Sequence, residues 1–263
     1  MSEKAFVDTT ILAEVLLKVG DSHEAAKRAL GRYSKTLLPV YAIKEWKRGQ
    51  FAKYVYIHNL LTITRSFSTT HGRLSKLFMR PRALSTAHEA MAAATLSLAL
   101  PVSFAASDPD TELADRFRLA FKTLIYESWE ERRSVASATV LDLECYREAG
   151  PRERANGELD ISPRDCDGNR ECCLATILRA KKDILLKLRD SVPLSGRQED
   201  KNRKEVLRHL AVHTNRRFER EDCQKLGDAY FAIFAPDDAD ILTTNLKDHL
   251  PLATAIGKRA VAP

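Results

Sequence analysis

The sequence predicts an α/β domain on a short parallel sheet, split in two by a long, mainly helical insertion. Three observations carry that expectation. Residues 1–64 alternate buried-strand and helix patterns in the order strand, helix, helix, strand, helix. Residues 65–215 then show helical spacing, basic stretches and two breaks rich in Pro, Gly and charge. The strand-and-helix alternation resumes over 216–263. The domain is therefore assigned to 1–64 together with 216–263, and the roughly 150 residues of 65–215, far more than an ordinary loop, to an insertion.

The elements follow from local pattern. Lys4 to Asp8 reads as a buried strand. Thr9 and Thr10 open a helix with Ile11, Leu12, Val15, Leu16 and Val19 on its apolar face, stopped at Gly20. Asp21 or Ser22 caps a second helix running to about Tyr33. Thr36 to Val40 reads as a second strand, either short or near an edge because Pro39 cannot donate to a ladder. From Tyr41 to about Thr64, Ile43, Trp46, Tyr54, Ile57 and Leu61 recur at helical steps. In the insertion, helices are expected over Leu84 to Leu98, Thr111 to Ser134, Asn169 to Arg189 and Gln198 to His213. Ser137 to Leu143 fits helix or strand, and Gly150 to Gly168 reads as a long loop. Beyond it, Glu221 to Phe234 is expected as a helix, Ile241 to Thr243 as a strand and Asn245 to Ile256 as a terminal helix closed by Gly257.

Composition narrows the function classes. Of 263 residues, 44% are hydrophobic and 30% charged, which supports a large core and argues against wholesale disorder. The net charge of +6 points weakly to a polyanionic partner and equally fits an ordinary basic protein. The five cysteines are odd in number and follow no export-signal pattern, so reduced thiols in a cytoplasm are expected. The most apolar run, Ala90 to Ala106, contains Pro101 and falls short of the roughly 20 apolar residues a spanning helix needs, so it reads as a buried helix and no membrane role is expected.

The chemistry lies in dispersed acids. Asp8 stands where a parallel strand gives way to a helix, the edge at which open α/β sheets bind ligands. Glu45 lies one turn into the helix after the second strand, Asp228 on a helix before the last strand, and Asn245 and Asp248 just after that strand. Asp8, Glu45, Asp228 and Asp248 are therefore candidates for one pocket. Clustered carboxylates repel, and a hard ion such as Mg²⁺ or Mn²⁺ relieves the repulsion. Each acid also has a plain reading. Asp8 serves equally as a helix cap, Glu45 fits a solvated face beside Lys44, Lys47 and Arg48, and Asp228 fits a surface position. Asp237, Asp238 and Asp240 read as a solvated loop cluster; His249, beside Asp248, has a place near the pocket open to it but is assigned to the surface.

Four short motifs give the acids a family resemblance: Phe6-Val7-Asp8-Thr9, Ile43-Lys44-Glu45, Gly227-Asp228-Ala229, and Ile241-Leu242-Thr243-Thr244-Asn245 followed by Asp248. In this order they resemble the PIN-domain nucleases, as does the tail Asp248-His249-Leu250-Pro251-Leu252. The resemblance covers residues 1–64 and 216–263. It implies a PIN-like three-layer fold, with a short parallel sheet flanked by helices and interrupted by the insertion. It also implies Mg²⁺- or Mn²⁺-dependent in-line hydrolysis of phosphodiesters, most often in RNA, leaving 5′-phosphate and 3′-hydroxyl ends. Asp8, Glu45, Asp228 and Asp248 would be the catalytic and metal-holding acids, with Thr9, Thr244 (or Thr243) and Asn245 orienting carboxylates or waters around them. Two features depart from the family pattern: Asn245 stands where a fourth Asp is usual, and compact members lack the insertion. A toxin or defence effector is the biological setting the family implies.

The insertion carries Arg73, Arg116, Arg132, Lys182 and Arg203, with Arg217 at its end and Phe67, Phe78 and Trp129 among them, a composition that suits single-stranded RNA, or single-stranded DNA, and equally suits helices solubilised by charge. Contact with a regulatory protein partner is its rival use, and a homodimer is compatible with either. Cys166, Cys172 and Cys173 lack the spacing and the histidines of a zinc site, so they are expected to be buried on a helix. Asp165-Cys166-Asp167-Gly168 has its Gly at the wrong place for a calcium loop. A phosphatase with an Asp nucleophile needs a second acid two residues on, where this chain has Thr10. The non-enzymatic alternative is a catalytically degenerate PIN-like RNA-binding or scaffold protein.

Overall fold

A computed structural model describes residues 2–17, 20–77, 108–161, 171–193, 197–213, 217–218 and 220–263. The apolar triplet Ala5, Phe6 and Val7 is fully buried in strand β1 (Lys4–Val7), the centre of a five-stranded sheet. On one side β1 pairs in parallel with β2 (Lys35–Pro39), which pairs in parallel with β3 (Ala138–Val140). On the other side it pairs in parallel with β6 (Ala239–Leu242), which pairs in parallel with β7 (Arg259–Val261), giving the order β3-β2-β1-β6-β7. Continuous burial along β1 and β6 is what a parallel sheet covered on both faces requires.

Several elements differ from the pattern-based reading. β2 is an inner strand, and Pro39 is tolerated because it is the strand's last residue. The ambiguous stretch 137–143 supplies β3, so the stretch read as a helical insertion contributes an edge strand to the domain's own sheet. β7 was not expected, because Arg259–Val261 is three residues long and follows Gly257. Within 150–168, β4 (Arg152–Glu153) and β5 (Leu159–Asp160) form a two-stranded antiparallel ribbon. Asn59 fixes that ribbon by donating to the Leu159 carbonyl at 2.8 Å and accepting from its N–H at 2.7 Å.

The helices begin with α1 (Thr9–Leu17) and α2 (Asp21–Leu30), which connect β1 to β2. The single helix expected from Tyr41 is α3 (Val40–Trp46), a π turn over Lys47–Phe51, and α4 (Ala52–Thr64). α5 (Phe67–Leu77) and α6 (Pro109–Glu131) follow, α6 lying along α4 with Tyr54 and Phe121 edge to face. α6 starts cleanly because Asp108 caps it, accepting from the Thr111 N–H, with Pro109 at the first position. The expected helix over 84–98 and the apolar run 90–106 lie outside the described residues, as do Cys166 and Phe78. The single helix expected from Asn169 divides into α7 (Cys173–Arg179) and α8 (Lys182–Ser191), and α9 (Gln198–Val212) packs against α8. The helix expected over 221–234 breaks at Leu226 into α10 (Arg220–Lys225) and α11 (Gly227–Phe234), and α12 (Leu246–Ala255) leads to β7. Among the described residues no helix is long and apolar enough to cross a membrane.

Candidate active site

β1 leads into α1, and β6, its neighbour on the other side from β2, leads into α12. The crevice therefore opens at the carboxyl ends of β1 and β6, where the connections run to opposite sides. Asp8 follows β1 directly, and its N–H donates to the Leu242 carbonyl at 3.0 Å, which continues the ladder. Its carbonyl accepts from the N–H groups of Ile11 and Leu12, so Asp8 also starts α1, as the capping reading expects.

The Asp8 carboxylate is almost fully buried and held on both oxygens. Oδ1 accepts from the Thr9 N–H at 2.7 Å, and Oδ2 accepts from the hydroxyls of Thr10 and Thr243, each at 2.7 Å. Thr243 Oγ accepts in turn from the Asn245 N–H at 2.9 Å. Two hydroxyls and one backbone N–H thus fix one carboxylate rotamer, because buried polar atoms cost energy unless paired.

Glu45 comes to the same place from α3. The Thr9 hydroxyl donates to its Oε2 at 2.6 Å, so Thr9 bridges Asp8 with its backbone and Glu45 with its side chain. Withdrawal from water pushes the Glu45 carboxyl up from 4.5 to about 8; the Thr9 hydrogen bond opposes this, and the negative charges of Asp8 and Asp228 add to it. The expectation of a solvated charged face is corrected at its neighbours, since Lys44 and Lys47 are both almost completely buried. Lys44 donates to Cys145 Sγ at 2.8 Å and Lys47 to the Arg147 carbonyl at 3.0 Å.

Asp228 sits in the first turn of α11, placed by a close approach. A Cβ at Gly227 would stand 2.6 Å from the Tyr41 hydroxyl, which donates to the Cys223 carbonyl at 3.0 Å. Only Gly lets Tyr41 cross the start of this helix. Burial raises the Asp228 carboxyl above its ordinary value; His249 and Arg203 pull it down, and Asp8 and Asp248 push it up.

The surface role expected of His249 is overturned. His249 is buried, with Nε2 3.3 Å from Asp228 Oδ1 and 3.6 Å from Asp8 Oδ2. Those two distances keep the Asp8 and Asp228 oxygens within about 7 Å of each other, close enough for one ion to draw them together. Placing Asp248 one turn into α12 sends the next residue, His249, inward, and the helical spacing from Leu252 back to His249 was the available signal.

Asp248 stands one step outward. Burial alone would raise its carboxyl, but the Asn245 amide at 2.8 Å and the guanidinium groups of Arg203 and Arg197 bring it below its usual value. Thr244 is exposed and contributes its backbone N–H to the Thr10 hydroxyl at 3.0 Å; the hydroxyl on Asp8 is that of Thr243. So Asp8 and Glu45 meet through Thr9, and Asp8 and Asp228 through His249, while Asp248 and Asn245 join Asp228 through Arg203 at the rim.

Besides His249 and Thr10, the site residues not assigned to the acids from sequence lie on α9 and on the turn before it; Arg203 is named from sequence only as one basic residue of the insertion. Arg203 puts Nη2 2.5 Å from Asp228 Oδ2, and Nη1 3.4 Å from Asp248 Oδ1 and 3.6 Å from Asp200 Oδ1. Arg197 forms a two-pronged pair with buried Asp200 at 2.8 and 2.9 Å. An open cleft of about 1050 Å³ lies over this cluster, lined by Thr10, Arg197, Arg203, Lys225, Lys247 and Asp248 among others. Asp240, read as solvated, is buried in β6, where it accepts from Arg259 at 2.7 and 2.6 Å and from Tyr33 at 3.1 Å. Trp129, a candidate base-stacking residue, is core: it stacks on Trp46 and carries the buried Arg132 guanidinium 3.6 Å from its ring centre. Cys172 is buried at the start of α7, as expected, whereas Cys173 is half-buried.

The donor set suits a hard divalent ion on its chemistry: three carboxylates from separate elements, one of them kept from ionising by burial and its neighbours. As the side chains stand, however, no group of three or more His, Cys, Asp or Glu among the described residues is spaced to hold an ion. Arg203 and His249 occupy the space around Asp228 instead. No family model, curated protein or solved structure matches the chain.

Proposed function

We propose that the chain is a Mg²⁺- or Mn²⁺-dependent nuclease that hydrolyses phosphodiester bonds in RNA. The observation that carries this reading is the meeting of Asp8, Glu45 and Asp228 through Thr9 and His249 at the crevice of a parallel sheet, with Thr10, Arg203 and Asp248 next to them lining a cleft that also holds Arg197, Lys225, Lys247 and Glu199. Asp8, Glu45 and Asp228 would hold the ion, with Asp248 adding charge at the rim. When bound, the ion supplies a lowered pKa for water and neutralises charge on a phosphoryl oxygen. The chain's own part is positioning. Thr9, Thr10 and Thr243 lock the Asp8 and Glu45 carboxylates before substrate arrives, so little reorganisation is left to the reaction. Arg197, Lys225 and Lys247 offer charge to phosphates on either side of the scissile one.

A second reading rests on one observation: a guanidinium stands against Asp228, as it would in a degenerate site that binds RNA without cutting it. One experiment separates the two. Purified protein is incubated with single-stranded RNA in Mn²⁺ and in EDTA, beside Asp8→Asn. Cleavage that needs Mn²⁺ and disappears in Asp8→Asn, with RNA binding retained, supports the nuclease. Binding without cleavage in Mn²⁺ supports the RNA-binding module.

A further inference from the structure

Away from the acids, two buried thiols meet. Among the described residues Cys145, Cys172, Cys173 and Cys223 are all free, and Cys172 and Cys223 are the buried ones. Cys172 stands just before α7, and Cys223 lies on α10. The backbone joins the two segments, because the Cys172 N–H donates to the Phe218 carbonyl at 3.1 Å, just ahead of α10. At that junction the Cys223 thiol donates to the Cys172 sulfur.

A buried cysteine ordinarily packs as a small apolar group and stays inert. Cys172 differs in its surroundings. Its sulfur also accepts from the N–H groups of Ala175 and Leu174, and it feels the charge of Lys44, a buried lysine that donates to Cys145 Sγ at 2.8 Å. The Cys223 hydrogen bond does most to hold the Cys172 thiol below its ordinary value; burial opposes this, and the two N–H groups and Lys44 reinforce it. A thiolate so favoured is a nucleophile, and its hydrogen-bond donor is a second sulfur. Exposure sets which oxidant can reach it. Cys172 keeps 7% of its surface and Cys223 1%, which favours a molecule as small as hydrogen peroxide over a bulky disulfide.

We propose that Cys172 and Cys223 are a modification site, a dithiol that a peroxide closes reversibly into a disulfide, with Cys172 attacking and Cys223 resolving. The Cys172 thiolate attacks one peroxide oxygen, the O–O bond breaks, hydroxide leaves and Cys172 becomes a sulfenic acid. The Cys223 sulfur then attacks the Cys172 sulfur; the S–S bond forms, the S–O bond breaks, and the departing hydroxide takes the Cys223 proton to leave as water. The first hydroxide takes the proton that Cys172 gave up on ionising. Two thiols and one peroxide thus yield one disulfide and two waters. A dithiol reductant returns the two electrons and restores both thiols. The site is independent of the nuclease reading.

The test maps the sulfurs. The full chain is treated with hydrogen peroxide near neutral pH, its remaining thiols are alkylated in denaturant, and its peptides are read by mass spectrometry, beside Cys172→Ser and Cys223→Ser. The parent is expected to show a Cys172–Cys223 link that a dithiol reductant removes, and Cys172→Ser to show no link at Cys223. Without its resolving partner, Cys223→Ser is expected to stop at a Cys172 sulfenic acid, trapped by dimedone about tenfold more than in the parent. Cys172 and Cys223 left as free thiols in the treated parent overturn the proposal, as does a link from Cys172 to Cys145, Cys166 or Cys173. No dimedone adduct on Cys172 in Cys223→Ser overturns the assignment of Cys172 as the attacking sulfur. An equal yield of the link in urea-unfolded protein also overturns the proposal, because the pairing would then owe nothing to the fold. If the serine variants do not fold, the parent's own map decides.

Discussion

The Glu45 carboxyl turns the acid cluster into a measurable stability. Its value rises from 4.5 to about 8 on folding because the side chain is withdrawn from water beside Asp8 and Asp228. An acid whose folded value is raised is easier to ionise in the unfolded chain. The fold therefore carries no penalty below about pH 4.5, loses stability as pH rises from there to about 8, and is level above that. At about 1.4 kcal/mol for each tenfold difference, the full penalty is about 5 kcal/mol; relaxation of a partly solvated crevice reduces it to about 2–4 kcal/mol. Glu45→Gln removes the ionisation while its amide oxygen still accepts from Thr9. In EDTA the variant should match the parent near pH 4.5 and exceed it by about 2–4 kcal/mol near pH 9, read from urea midpoints at several pH values. Saturating Mn²⁺ should close the gap at high pH by favouring the ionised parent. A Glu45→Gln protein that is less stable than the parent at pH 9 in EDTA, or whose difference does not change with pH, would refute the reasoning.

Other expectations follow from the same geometry. Mn²⁺ binding should release about one proton below pH 8 and tighten by up to about tenfold per pH unit, as calorimetry in buffers of different ionisation heat would register. Asp8→Asn should cost about 1–2 kcal/mol in stability, since its hydroxyl partners can rotate, yet lower RNA cleavage in Mn²⁺ by about a hundredfold or more. Gly227→Ala should force Tyr41 aside, cost about 1–3 kcal/mol and reduce cleavage through a displaced Asp228, whereas Ala at exposed Gly49 should do neither. Asp240→Asn, which breaks the forked Arg259 pair and the Tyr33 bond, should cost about 2 kcal/mol by thermal melting while leaving any cleavage activity unchanged.

The core strands were legible because buried parallel strands carry dense apolar runs: Ala5-Phe6-Val7 and Ile241-Leu242 stand out without any partner in view. β3 and β7 were not, since three residues at an edge carry too little pattern and take their conformation from the neighbour they pair with. Asp8, Glu45 and Asp228 could be nominated because each follows a boundary between an apolar strand or turn and a helix. Thr9, Thr243 and Asn245 could be named with them through the resemblance, but His249 and Arg203 could not be placed against them. Arg203 looks like any charged residue on α9, and its inward aim depends on how that helix packs against α8 and α10. Asp240 shows the converse error: three nearby acids read as a solvated loop, yet β6 and β7 bury the last of them against Arg259. Trp129 stands among charged residues of both signs in sequence, Glu127, Glu130, Glu131 and Arg132, and among aromatic core residues in space.

The central claim is that Asp8 and Asp228 share one divalent ion. A crystal soaked in Mn²⁺ and measured at the manganese edge tests it most directly. The account expects one anomalous peak per chain, within about 2–2.5 Å of an oxygen from each of these two carboxylates, with the His249 ring moved from between them. A saturating soak that leaves no peak between the two acids would contradict it.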